Sequence, residues 1–231
     1  MKKKVSSEPK ELTRIRVSPK IFSDMVLSLS DSQKEWVRLA GLGGLLQFGL
    51  KELPHMLGYQ ILQSFDSESV ALNLPRGSIS ITEEDVHQVM ELPMGRKRIP
   101  ASSIGKSALV DEWRAQFTNS VGWKITPGAV SEKLKQSSDV NLFFKLNFLV
   151  LFHNSMIQSL SNSYVNQWIL VLGDNVDQCS EYNWCSFLLD SMIESQHKWK
   201  VDPTKQFYTG PLAFLIVSHL YNIDLFLHYC S

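Results

Sequence analysis

A mainly α fold, a single multi-helix globular domain with one small β-hairpin near residues 69–81, is what this chain predicts, and three observations predict it. Apolar residues recur at three- and four-residue intervals through most of the chain; Cys185, Leu188, Leu189, Met192 and Ile193 are one such stripe. The period drops to two in one stretch, where Val70, Leu72 and Leu74 alternate before Pro75-Arg76-Gly77 and Ile79 and Ile81 alternate after it. The 231 residues are 44% hydrophobic and 20% charged, enough apolar surface for one sizeable core.

Residues 1–20 are expected to be a basic, flexible N-terminal arm and residues 21–231 the helical body. The first helix signal is Ser30-Asp31-Ser32-Gln33, which has capping-box spacing and precedes Trp36, Val37 and Ala40 on one face. Gly41, Gly43 and Gly44 stop or bend that helix, or allow a close helix–helix approach. Pro54 suits the first turn of a helix carrying Leu57, Ile61, Leu62 and Phe65, with Asp66 and Ser67 at its exit. After the hairpin, Thr82 can cap a helix whose Glu83, Glu84 and Asp85 sit at the positive end of the dipole, with Pro93 and Gly95 ending it. Arg96-Lys97-Arg98-Ile99-Pro100 and the Ser/Gly stretch behind it are expected as an exposed loop. Further helices are predicted near Ser107–Phe117, Thr126–Gln136, Val140–Leu160, Tyr164–Leu170, Glu181–Trp199 and Pro211–His228.

Charge, cysteine usage and hydropathy exclude several function classes. Lys+Arg 23 balance Asp+Glu 23, so no whole-molecule field marks a nucleic-acid or anionic-membrane binder. The arm nevertheless carries +5, from seven basic residues against Glu8 and Glu11, and leaves −5 on the body. Three cysteines without C-x-x-C spacing argue against a disulfide framework and for a reducing compartment. The N-terminus has no apolar signal region. The apolar stretches Leu142–Leu160 and Pro211–Tyr229 contain Lys145, Asn147, His153 and Asn154, and His219, Asn222 and Asp224, which suits buried helices and not membrane spans.

No catalytic, cofactor or metal site can be assembled from the residues. Cys185 is the best nucleophile candidate, but it belongs to an apolar stripe, and His197 would lie about 18 Å along the same helix at the standard rise. The six histidines are dispersed, with no H-x-x-x-H pair. Gly41-Leu42-Gly43-Gly44 lacks the Lys-Ser/Thr of a phosphate loop. The six tryptophans, Trp36, Trp113, Trp123, Trp168, Trp184 and Trp199, are expected as packing residues, with one or two at an interface, and Trp36, Trp184, Cys185 and Trp199 are expected in the core. Lys2, Lys3, Lys4, Arg96, Lys97 and Arg98 are the candidates for contact with nucleic acid or an import carrier.

Gly43-Gly44-Leu45 with Leu50-Lys51-Glu52-Leu53-Pro54, Phe65-Asp66, Ile81-Thr82-Glu83-Glu84-Asp85-Val86 and Leu92-Pro93-Met94-Gly95 together resemble the plant mobile domain family, also called aminotransferase-like. The similarity continues through 144–152, Asn183-Trp184-Cys185, Trp199 and Phe207-Tyr208-Thr209-Gly210-Pro211-Leu212. That family occurs in transposon-derived and domesticated plant genes. The resemblance implies a helical interaction module, here without the cysteine protease domain fused to some members, and it carries over no aminotransferase activity. The expectation is a non-enzymatic, cofactor-free, intracellular protein with a protein partner, placed in the nucleus ahead of the cytoplasm, with the mitochondrion left open. Alternatives are direct nucleic-acid binding through the basic arm and the 96–98 loop, or a selfish-element or regulatory protein that binds and neutralises a protein partner.

Overall fold

The most apolar of the described helices is buried on every side over its last seven residues. The computed structural model describes residues 19–75, 77–100, 107–203 and 205–229, with residues 174 and 221–229 described by backbone alone. In helix α7, Leu142–Phe152, every side chain from Leu146 to Phe152 is buried, so the other elements pack around it. Asn147 is tolerated there because its Oδ1 accepts from Trp113 Nε1 (2.7 Å) while its Nδ2 donates to Gln116 Oε1 (3.1 Å). No helix of the described residues is long and apolar enough to cross a membrane.

The elements before α7 build one wall. Helix α1, Lys20–Val26, buries Phe22, Met25 and Val26 and packs on α6, Pro127–Lys135. It starts inside the reach expected for the arm: Pro19 supplies the N-cap position without a side-chain bond, so packing and not capping holds it. The rest of the expected arm, with Lys2, Lys3 and Lys4, lies outside the described residues. Helix α2, Asp31–Leu39, has the full Ser30–Gln33 capping box, and Gln33 also donates to Ser137 O (2.9 Å). A 3-10 turn at Gly43–Gln47 follows, and Gly44 is required there: a Cβ would lie 2.5 Å from Glu91 Cβ.

Helix α3, His55–Ser64, opens behind Pro54 and passes directly into strand β1, Phe65–Asp66. The expected hairpin is β2, Ala71–Leu74, and β3, Gly77–Ser80, with Leu72 opposite Ile79. β1 pairs with β2 in antiparallel register, Phe65 opposite Leu72, so the hairpin is part of a three-stranded sheet. Helix α4, Glu83–Met90, begins with Thr82 Oγ1 accepting from Asp85 N (3.3 Å) and Thr82 N donating to Asp85 Oδ2 (2.8 Å). Helix α5, Ala108–Ala115, follows, and a π-helical turn at His153–Ile157 continues α7. The helix expected at Tyr164–Leu170 is displaced to a 3-10 run at Trp168–Glu181. Asn162 Oδ1 and Asn166 Oδ1 accept from Tyr164 N and Trp168 N, holding 162–167 in local turns. Helices α8, Trp184–Val201, and α9, Leu212–Tyr229, complete the body, both packed against α4.

The 96–98 run is exposed but is not a free loop. Backbone bonds tie it to the start of α8: Gly95 N to Tyr182 O (3.2 Å), Lys97 N to Glu181 O (2.9 Å), Asn183 N to Lys97 O (2.7 Å) and Trp184 N to Pro93 O (3.0 Å). Ile99 is buried, whereas residues 101–106 lie outside the described residues.

Candidate functional site

The polar stretch after the π turn cannot enter the apolar core, and it folds back as one side of a groove. Gln158 N donates to His153 O (2.8 Å), closing the wide turn, and Ser159 N donates to Thr209 O (2.9 Å), which brings in the segment before α9. Asn166 then locks the stretch, donating from its backbone to Asn154 Oδ1 (3.0 Å) and from Nδ2 to Gln158 O (3.2 Å). α8 forms the opposite side, and the space between is a groove of ≈ 620 Å³. That is ample for one or two side chains of a bound molecule.

The floor is aromatic. Trp168 and Phe187 meet at 4.9 Å between ring centroids, and His153 stacks on Phe187 at 5.5 Å and 19°. His153 is fully buried, and neither ring nitrogen has a hydrogen-bond partner of acceptable geometry among the described residues. Burial pulls its pKa down to about 4, against a smaller upward pull from the backbone at Asn166, so the imidazole is neutral at physiological pH. Tyr208 Oη and Ser195 Oγ are likewise buried without a bonded partner, both beside Gly210.

The α8 wall is polar and carries Asp190, Ser191, Glu194 and Lys198 at three- and four-residue spacing. Glu194 is compensated: Lys198 Nζ lies 2.5 Å from Oε1 and Gln158 Nε2 3.3 Å from Oε2, and the first of these contacts pulls its pKa below the usual value. Asp190 is different. It makes no hydrogen bond or ion pair among the described residues, and partial burial raises its pKa; the charge of Arg98 opposes that rise and the charge of Glu83 adds to it.

Among the described residues, none of Trp36, Trp184, Cys185, Trp199, Arg96, Lys97 and Arg98 lines this groove. Trp36, Trp184, Cys185 and Trp199 are all buried. Trp36 Nε1 donates to Asp177 Oδ1 (3.1 Å), which also accepts from Lys145 Nζ (2.7 Å). Trp184 Nε1 donates to Cys179 O (2.9 Å). Trp123 is 46% exposed and packs edge-on against Tyr164, so it is the most open of the six tryptophans. Arg96, Lys97 and Arg98 are exposed, yet Lys97 Nζ is engaged by Glu181 Oε2 (2.6 Å) and Gln178 Oε1 (2.9 Å). The groove residues Asp190, Glu194 and Trp168 were not recognisable as a set in the sequence. The available signal was the i, i+4 pair of carboxylates on the polar side of α8.

Cys185 is held as a thiol. Its Sγ donates to Leu92 O (3.3 Å), and the same carbonyl accepts from His87 Nδ1 (2.7 Å), which places the proton of that imidazole on Nδ1. Burial first, then the charges of Glu83 and Glu84, push the thiol up to about 12, opposite to the shift a nucleophilic cysteine requires. Among the described residues no three of His, Cys, Asp and Glu come together to hold a metal ion. No curated protein and no solved structure matches the chain significantly. A family model described as a domain of unknown function, DUF8566, matches residues 15–216, and the chain belongs to that family.

Proposed function

We propose that this chain is a non-catalytic protein-interaction module of the plant mobile domain kind, acting in nuclear genome-regulatory assemblies. The observation that carries the reading is the groove itself. It is lined by Trp168 and Phe187 and by the carboxylates of Asp190 and Glu194, while Cys185 is buried elsewhere as a protonated donor. Aromatic rings beside a few fixed polar groups are what protein-binding surfaces use as anchors.

Two of the segments that carry the resemblance meet in the fold. Leu92-Pro93-Met94-Gly95 and Asn183-Trp184-Cys185, distant in sequence, are joined through Trp184 N to Pro93 O and Cys185 Sγ to Leu92 O. Direct nucleic-acid binding has less support, because Lys97 is neutralised by Glu181 and Arg98 stands in the field of Asp190.

The test is affinity purification of tagged protein from native tissue, with mass spectrometry, followed by reconstitution with the purified partner. The expected result is a protein partner whose direct binding survives 0.3 M salt. A chain that instead captures only duplex DNA, and releases it with the steep salt dependence of phosphate contacts, would be a nucleic-acid binder.

A further inference from the structure

We infer that the groove between α8 and the 158–168 segment is a receptor for an arginine side chain presented by a protein partner. The inference rests on the protein-binding reading above and names what that groove would take. Three features of the same surface converge on a planar cation. The Trp168 and Phe187 rings, 4.9 Å apart, both line the groove, and guanidinium stacks on aromatic rings more readily than a hydrated ammonium. Among the described residues, Asp190 is the carboxylate of the lining without a countercharge in contact, since Lys198 is taken up by Glu194 one turn further along α8. The three charged side chains lining the groove, Asp190, Glu194 and Lys198, sum to one negative charge centred on Asp190, with Arg98 acting on it only through its field and not in contact.

The geometry also disfavours other occupants. An anionic group would meet Asp190 and Glu194 together. A purely apolar side chain would leave Asp190 further desolvated without a partner, which is costly for a carboxylate. A guanidinium satisfies both elements at once, lying flat on the aromatic floor while its edge offers two parallel donors to the carboxylate. The fixed backbone of the opposite wall, Ser159 bonded to Thr209 and Asn166 bonded to Gln158, keeps the slot open at low ordering cost.

The experiment is a nitrogen-15 NMR titration of the full chain with three capped tripeptides, Gly-Arg-Gly, Gly-Lys-Gly and Gly-Glu-Gly. The arginine peptide is expected to move the Trp168 Nε1–H and Asp190 amide resonances in a saturable way. The lysine peptide should do so more weakly, and the glutamate peptide should leave both in place. Asp190→Asn, at an exposed position, keeps the fold and is expected to weaken the arginine peptide by about tenfold. Equal responses to the arginine and glutamate peptides, no response to any of them, or an unchanged affinity in Asp190→Asn would each overturn the inference. A partner that binds wild type and Asp190→Asn equally also overturns it while leaving the protein-binding reading intact. Saturable arginine binding in a chain that captures no protein would do the reverse.

Discussion

His153 is a buried imidazole whose ring nitrogens have no well-aligned hydrogen-bond partner among the described residues, a costly arrangement that the fold tolerates only while the ring is neutral. Its folded pKa of about 4 lies below the ordinary value of 6.5, so between these limits the unfolded chain binds a proton the folded chain does not. Stability is therefore unaffected above about pH 6.5 and falls as pH drops towards 4, at up to ~1.4 kcal/mol per pH unit. His219, also lowered by burial, adds in the same direction. Urea denaturation from pH 7.5 to 4.5 should show this slope, and His153→Leu should flatten much of it; a slope unchanged in that variant would mean the imidazole has another way to take its proton. The thiols make a second residue-level prediction. Cys179 and Cys185 are both fully buried, with pKa values pushed up to about 12 chiefly by burial. In native protein at pH 8 neither should be alkylated by iodoacetamide, and both should react once urea unfolds the chain, as read by peptide mass spectrometry. Rapid native labelling of Cys185 would mean that the thiol is reached by solvent and is not held as a buried donor. The burial of Cys185 was legible from its place in an apolar stripe. The isolation of His153 was not, because it depends on Trp168 and Phe187 closing over it from distant segments.

Elements whose start is written in three or four consecutive residues were legible, and those held by distant packing were not. The Ser30–Gln33 and Thr82–Asp85 boxes each satisfy free helix N–H groups within one turn, so the spacing alone discloses α2 and α4. Thr82→Ala should cost about 1 kcal/mol of stability, measured by chemical denaturation. α1 carries no such signal, since Pro19 offers no side-chain bond and its seven residues are held by burial of Phe22, Met25 and Val26. The third strand was hidden for a related reason: Phe65-Asp66 reads as the tail of α3 until Leu72 is placed opposite Phe65. The 93–97 segment is the sharpest case. Its basic residues suggest a solvated loop, but Gly95 lies so close to Glu181 that a Cβ would meet the Glu181 carbonyl carbon at 2.1 Å. Gly95→Ala should force this segment off the start of α8 and lower stability by roughly 1–3 kcal/mol, the range for overpacking a tight contact. A variant as stable as wild type would mean that the pairing of 93–97 with 181–184 is dispensable.

At the scale of the whole molecule, what matters is how far apart in sequence the contacts are that make the core and the groove. The groove draws its walls from Ile99, from 158–168, from α8 and from 206–209, and no local window contains enough of them to announce a site. The core is equally distributed, as buried residues from Phe22 to Ile216 form one continuous cluster. α1 leans on α6, α6 on α7, α7 on the 3-10 run at Trp168–Glu181, and α3 and α4 both on α9. No element pair can be removed without exposing apolar surface of another, and at about 0.05–0.15 kcal/mol per residue a chain of this size has little stability to spare for partial opening. Unfolding should therefore be one cooperative transition, with far-ultraviolet circular dichroism, reporting helices throughout, and tryptophan fluorescence, reporting positions from Trp36 to Trp199, tracing superimposable denaturant curves. Two separated transitions, with the α1–α4 half melting apart from the α7–α9 half, would instead divide the chain into two folding units. The groove would then have to be assigned to the later unit alone, because apart from Ile99 its walls come from residues 158–209.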